Sequence, residues 1–250
     1  MLLIAGRELR SMFASPLAWT VLAVVQVILA YVFLIRIEAF VQLQPRLPLV
    51  PNAPGLTALV VAPLFQTAGG VLMTVAPLLT MRLISEELRS GTFTLLMSSP
   101  LTITQIVVGK FLAVVAFFCV AIAVIALMPL LLLLGGDLDL GLFAACLLSL
   151  FLLLASFSAA GLYMSSLTSQ PAVAAVSTFG LLLLLWLLDW AGAGGGSGTS
   201  ALFSYLSISS HSNALLRGEF DTRDLAYFAL FVLSFLSLAI RRLDWLRIQD

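Results

Sequence analysis

Between Ser11 and Ile35 the chain runs for 25 residues without one charged side chain, and comparable apolar runs recur to its end. The hydrocarbon core of a bilayer takes about 20 apolar residues per helix. The spacing predicts six spanning helices, over 17–36, 60–81, 103–134, 141–166, 172–190 and 224–241. A single chain of such runs crosses lipid as helices, because each backbone polar group must find its partner inside the segment. The runs are Leu-rich without the alternation of a barrel strand. Only 10% of residues are charged against 62% hydrophobic, where a soluble domain carries about a quarter charged. The fold class expected is therefore all-α integral membrane, one domain over 1–250. The first run follows Arg7 and Arg10 as a signal peptide would, but it is too long for one and no small-residue cleavage site follows. It is expected to be retained.

Flanking charge sets the expected orientation. With the N-terminus inside, Arg7, Arg10, Arg82, Arg89, Lys110, Arg241, Arg242 and Arg247 are cytoplasmic, and Arg36, Arg46, Arg217 and Arg223 are outside. An even helix count leaves both termini cytoplasmic. Trp19, Trp186, Trp190 and Trp245 fall near the expected interfaces. Residues 1–14 mix Leu2, Leu3, Leu9, Met12 and Phe13 with Arg7, Glu8 and Arg10, the pattern of an amphipathic interfacial helix. Residues 37–59, with Pro45, Pro48, Pro51 and Pro54, form an irregular external loop, and 135–140 a tight external turn. Residues 191–223 open on a Gly/Ser-rich hinge, Gly192 to Gly198, and continue as an external re-entrant or interfacial segment.

Several chemistries lack their residues. The net charge is zero, so no basic field invites nucleic acid. No charged residue sits in the middle of an expected span, which argues against an internal proton relay. One histidine, His211, cannot build a metal cluster. The only lysine, Lys110, follows Gly109 but lacks the GxxxxGK[ST] frame of a phosphate loop, and Gly194-Gly195-Gly196 lacks any lysine. Cys119 and Cys146 read as small buried hydrophobes. Ala155/Ala159 and Gly161/Ser165, at spacing four, permit close helix contact, with packing inside the chain favoured over a dimer seam.

The most informative segment is 82–102. Arg82, Glu86, Glu87 and Arg89 crowd beside a helix end, Gly91 breaks it, and the apolar turn Phe93 to Met97 runs to Pro100. Thr102 and Gln105 then form an S/T-x-x-E/Q capping box, with Leu101 and Ile106 at the staple positions, so the third span begins near Ile103. Such a segment is either a charged loop tying helix ends to headgroups or a short helix that docks on a cytosolic partner. Exposed apolar side chains there are costly unless covered.

This segment resembles the signature loop of ABC-2 type permeases, roughly E-E-x-x-x-G-T-x-x-x-L-x-x-x-P followed by a helix with a G-K pair. The matching positions are Glu86, Glu87, Gly91, Thr92, Leu96, Pro100, Gly109 and Lys110. Leu206 to His211, Arg217-Gly218, Asp221 and Tyr227-Phe228 are similar to the gliding-motility-type branch. The Gly/Ser-rich 192–200 stretch departs from the pattern. The resemblance implies the membrane subunit of an ATP-binding cassette exporter in the cytoplasmic (inner) membrane. It would be no enzyme itself and hold no cofactor, with ATP and Mg on two cytosolic ABC ATPase subunits and a second permease subunit completing a homo- or heterodimer. By the same resemblance 1–14 is an elbow helix and 82–102 the coupling helix. The ATPase-coupling residues would be Glu86, Glu87, Arg89, Gly91, Thr92, Phe93, Leu96 and Pro100, with a second contact at Ser166 and Thr168. His211 and Arg217 would belong to an external gate. A scaffold or assembly factor recruiting a cytosolic protein through the same loop is the alternative.

Overall fold

The computed structural model describes residues 2–45, 55–92, 102–134, 138–194 and 205–249, and among them the regular structure is helical. Helix α1, Leu2–Ala14, is followed by α2, Pro16–Leu43. Ser15 separates them, its hydroxyl accepting from Leu17 N, with proline at the first helical position of α2, where its missing N–H costs nothing. A π-helical turn, Thr57–Val61, leads into α3, Ala62–Thr80, and the short α4, Ser85–Ser90, follows. Then come α5, Ile103–Leu131, α6, Leu140–Leu167, α7, Pro171–Gly194, α8, Ile208–Leu216, and α9, Thr222–Gln249. Six helical stretches among the described residues are long and apolar enough to cross a membrane, as the apolar runs predict.

The ends follow local chemistry. Thr102 accepts from Gln105 N, and the Gln105 side chain accepts from Thr102 N, so the expected capping box starts α5 at Ile103. Its staple residue Leu101 lies outside the described residues. Asp139 caps α6 by accepting from Gly141 N and Leu142 N. Several helices outrun their expected limits. Helix α2 continues through Arg36 and Glu38 to Leu43, so the first part of the expected loop is helical, while Pro48, Pro51 and Pro54 lie outside the described residues. Helix α7 reaches Gly194 and takes in the first glycines of the expected hinge; the rest of it, like Gly135 to Asp137, lies outside the described residues. Helix α9 passes Arg241 and Arg242 to Gln249. Charge ends the apolar span, but a helix continues in water while its backbone bonds hold.

Helices α3, α5 and α6 form the centre, with 50%, 50% and 56% of their most apolar windows buried, against 22%, 17% and 22% for α2, α7 and α9. Small residues allow the central contacts. A Cβ added at Gly161 of α6 would collide with the Thr80 side chain of α3, and one at Gly69 would sit 2.8 Å from Leu153. Ala159 is fully buried beside them, so the spacing-four pairs pack inside the chain. Cys146 is buried as expected, but Cys119 is exposed on the outer surface of α5, a face that lipid covers as readily as protein.

Candidate functional site

Two polar clusters sit at opposite ends of the bundle. The first gathers α1, α4 and the start of α5. Lys110, seven residues into α5, is 2% exposed. Its Nζ donates to Glu87 Oε1 of α4 at 2.7 Å and to Glu8 Oε1 of α1 at 3.0 Å. An ammonium withdrawn from water demands such partners. The other Glu87 oxygen, Oε2, is buried with no hydrogen-bond partner. Arg7 lies 3.7 Å from Glu8 on the exposed side. Phe13 of α1 packs on Phe117 of α5, with ring centroids 5.3 Å apart, and accepts from Trp19 Nε1 through its carbonyl. The amphipathic N-terminal helix is thereby held to its own third span by one ion pair and one aromatic contact.

Helix α4 is fixed from a second direction. Ser165, near the end of α6, accepts from Ile84 N and Ser85 N at 3.1 Å each and donates to Met81 O at 3.1 Å. One hydroxyl thus occupies two of the backbone donors that a helix start leaves unpaired. Ser85 also donates to Met81 O. Within α4, Glu86 and Glu87 stand in the first turn and Arg89 in the last, each favourable to the helix dipole. Gly91 closes the helix at φ +69°, a left-handed conformation that costs an L side chain about 1–2 kcal/mol.

Of the expected coupling residues, Glu87 is turned inward onto Lys110, whereas Glu86 and Arg89 are exposed. Thr92 lies against the Ser90 hydroxyl at 2.8 Å. Phe93, Leu96 and Pro100 fall outside the described residues. Ser166 is buried and donates to Tyr163 O at 2.6 Å, and Thr168 accepts from Gln170 N in the turn between α6 and α7. That turn and α4 border one groove of about 870 Å³, lined by Met81, Arg82, Glu86, Arg89, Gln170 and Pro171. A smaller cavity of about 320 Å³ opens between α1 and α3 beside Glu8, Ser11, Arg82 and Glu86.

The second cluster surrounds α8. This helix packs against α6, where Ser149 and Ser212 hydroxyls lie 3.0 Å apart, nine residues or about 13 Å along the axis from the start of α6. Asn213 accepts from Gln66 of α3 at 3.1 Å. His211 is 8% exposed, between Asp224 of α9 and the carbonyl of Tyr205, and its ring stacks on Tyr227 at 4.2 Å. Arg217 is exposed, and its backbone N–H closes α8. The two residues expected at an external gate are thus neighbours with different roles, one internal and one facing outward.

Sequence reasoning names Glu8 only within the amphipathic segment and Ser165 only as a small packing residue, and it does not single out Asp224. A signal for the first existed: a lone lysine inside an apolar helix requires a carboxylate, and Glu8 and Glu87 are candidates on the same side of the chain's expected topology. Against known families, residues 2–241 match the model described as ABC-2 family transporter protein. No individual curated protein matches the sequence.

Proposed function

From the premise that the chain belongs to the ABC-2 transporter family, and so is the multi-pass permease component of an ABC transporter, we propose that it exports substrate across the cytoplasmic membrane. Two separate cytosolic ABC ATPase subunits supply the work by hydrolysing ATP with Mg²⁺, and a second permease subunit completes the pathway. The termini and α4 face the cytoplasm, following the excess of Arg and Lys on that side.

One observation carries the proposal: α4 is fastened to two central spans at once, through Glu87 to Lys110 of α5 and through its first N–H groups to Ser165 of α6. A push on its exposed face, Glu86 and Arg89, therefore reaches the bundle without a flexible joint. Rigid-body rocking of helices is a standard response to such a load. The exposed face of α3 supports the same conclusion. Gln66, Thr74 and Leu78 are exposed at helical spacing, with the half-exposed Gly70 between the first two, on a helix otherwise among the most buried, and the exposed Arg82 follows just past its end. Amide and hydroxyl groups at membrane depth belong against protein or a water-filled path rather than lipid.

The test is to isolate the intact complex and measure ATP turnover and transport with Glu87→Lys and Gly91→Leu. Both variants insert normally, and both lose the ATPase or fall at least about tenfold in coupled activity. Normal complex yield with normal transport in both would reject the coupling role. A stable partner that hydrolyses no ATP would favour a recruiting scaffold instead.

A further inference from the structure

The cavity of about 320 Å³ between α1 and α3 has Glu8, Arg82 and Glu86 as the charged side chains among its described lining residues. Glu8 is already balanced. Lys110 and Arg7 set two positive charges beside the carboxylates of Glu8 and Glu87. Arg82 and Glu86 are not balanced. Both are exposed, and among the described residues neither side chain takes part in an ion pair. They stand four positions apart and do not close on each other. One guanidinium and one carboxylate therefore border the same space, each without a partner.

The cavity lies at the level of lipid headgroups. Helix α1 is the amphipathic interfacial helix, and Trp19, 61% exposed, stands in the first turn of α2, as belt tryptophans do. The remaining wall is largely apolar, with Met12 and Leu17 on one side and Leu78 and Leu79 on the other. Leu17 also opens a face of α2 that continues at helical spacing through Val24 and Ile28, both exposed. A ligand here meets charge at one end and hydrocarbon along one side. A wholly anionic ligand would leave Glu86 opposed, and a wholly cationic one would leave Arg82 opposed. A ligand bearing both signs satisfies both. The guanidinium offers phosphate two parallel N–H donors, and a primary ammonium donates hydrogen bonds to a carboxylate where a quaternary ammonium has none to give. The geometry points to a binding site for an amine-bearing zwitterionic phospholipid, its phosphate on Arg82, its ammonium on Glu86 and its acyl chains along α2. Such a lipid braces α1, α2 and α3 against α4 beside the Lys110 ion pairs. Only its assignment to the cytoplasmic leaflet rests on the proposed function; the binding does not.

The test uses the full chain in nanodiscs of phosphatidylethanolamine, phosphatidylglycerol and phosphatidylcholine in equal parts. The protein is released into detergent, and the lipid it retains is identified by native mass spectrometry. Phosphatidylethanolamine is expected in about tenfold excess over either other lipid. Retention in the proportions of the bilayer would overturn the site, whatever the variants do. Arg82→Gln is expected to lower the retained phosphatidylethanolamine at least about tenfold. Glu86→Gln is expected to move the preference to phosphatidylglycerol, because Arg82 is then the unbalanced charge. An unchanged preference in Glu86→Gln would overturn the place given to the ammonium, even with phosphatidylethanolamine retained by the wild type. Glycerophosphoethanolamine, the same headgroup without acyl chains, is expected to leave the lipid in place at about tenfold excess. Its displacing the lipid would make the ligand a water-soluble amino phosphate and overturn the lipid assignment.

Discussion

Lys110 is 3% exposed in its side chain, while the two carboxylates that hold it, Glu8 and Glu87, keep about a fifth of theirs in contact with solvent. Removing the lysine leaves two negative charges facing the same gap. Breaking a buried pair by deleting one member costs about 3–5 kcal/mol, and the partial exposure of the carboxylates puts Lys110→Met at the low end, about 3 kcal/mol. The expected outcome is a lowered thermal midpoint in detergent, with most of the loss regained when Glu8→Gln and Glu87→Gln are added. An unchanged midpoint for Lys110→Met alone would mean that the ion pairs hold nothing together. Beyond the need of a lone lysine for a carboxylate, this geometry could not be read along the chain. Lys110 stands 102 positions from Glu8 and 23 from Glu87, and the pairing depends on where α1 docks. His211 and Asp224 are closer in sequence but sit on different helices, and no short-range spacing rule joins them.

At the level of elements, what was legible was what is local. The capping box at Thr102 and Gln105 and the six apolar runs express their physics along neighbouring residues of the chain. The start of α4 was not legible, because its donors are capped by Ser165, a hydroxyl 80 residues further on. Nor was the length of α9 beyond Arg241, since no apolar signal marks a helix in water. The contact of α3 with α6 lies between these cases. Spacing announced small residues, but only the fold says that Gly161 faces Thr80. Gly161→Val is expected to destabilise by about 1–3 kcal/mol through overpacking. Thr80→Ala, by removing the atoms in the way, should restore part of it. Unfolding midpoints of the three proteins decide the matter, and equal midpoints for Gly161→Val and wild type would mean that the two helices are not in close contact.

For the whole molecule, the contrast in burial separates three central spans from three that surround them, and the polar clusters mark its two ends. Single cysteines at Ser90 and Glu219, both exposed and placed in a background without native cysteines, are expected to react with an impermeant maleimide from opposite sides of intact cells: Glu219→Cys from outside, Ser90→Cys only after lysis. Labelling of Ser90→Cys in intact cells would invert the topology. Helix α6 meets both clusters, bonding α4 through Ser165 and α8 through Ser149, sixteen residues or about 24 Å apart along one rigid axis. A strut attached at both ends cannot carry messages in one direction alone. If load passes along it, thermodynamic reciprocity makes any molecule that grips α8 from the far side of the membrane also change, by the same factor, how tightly a cytosolic protein holds α4.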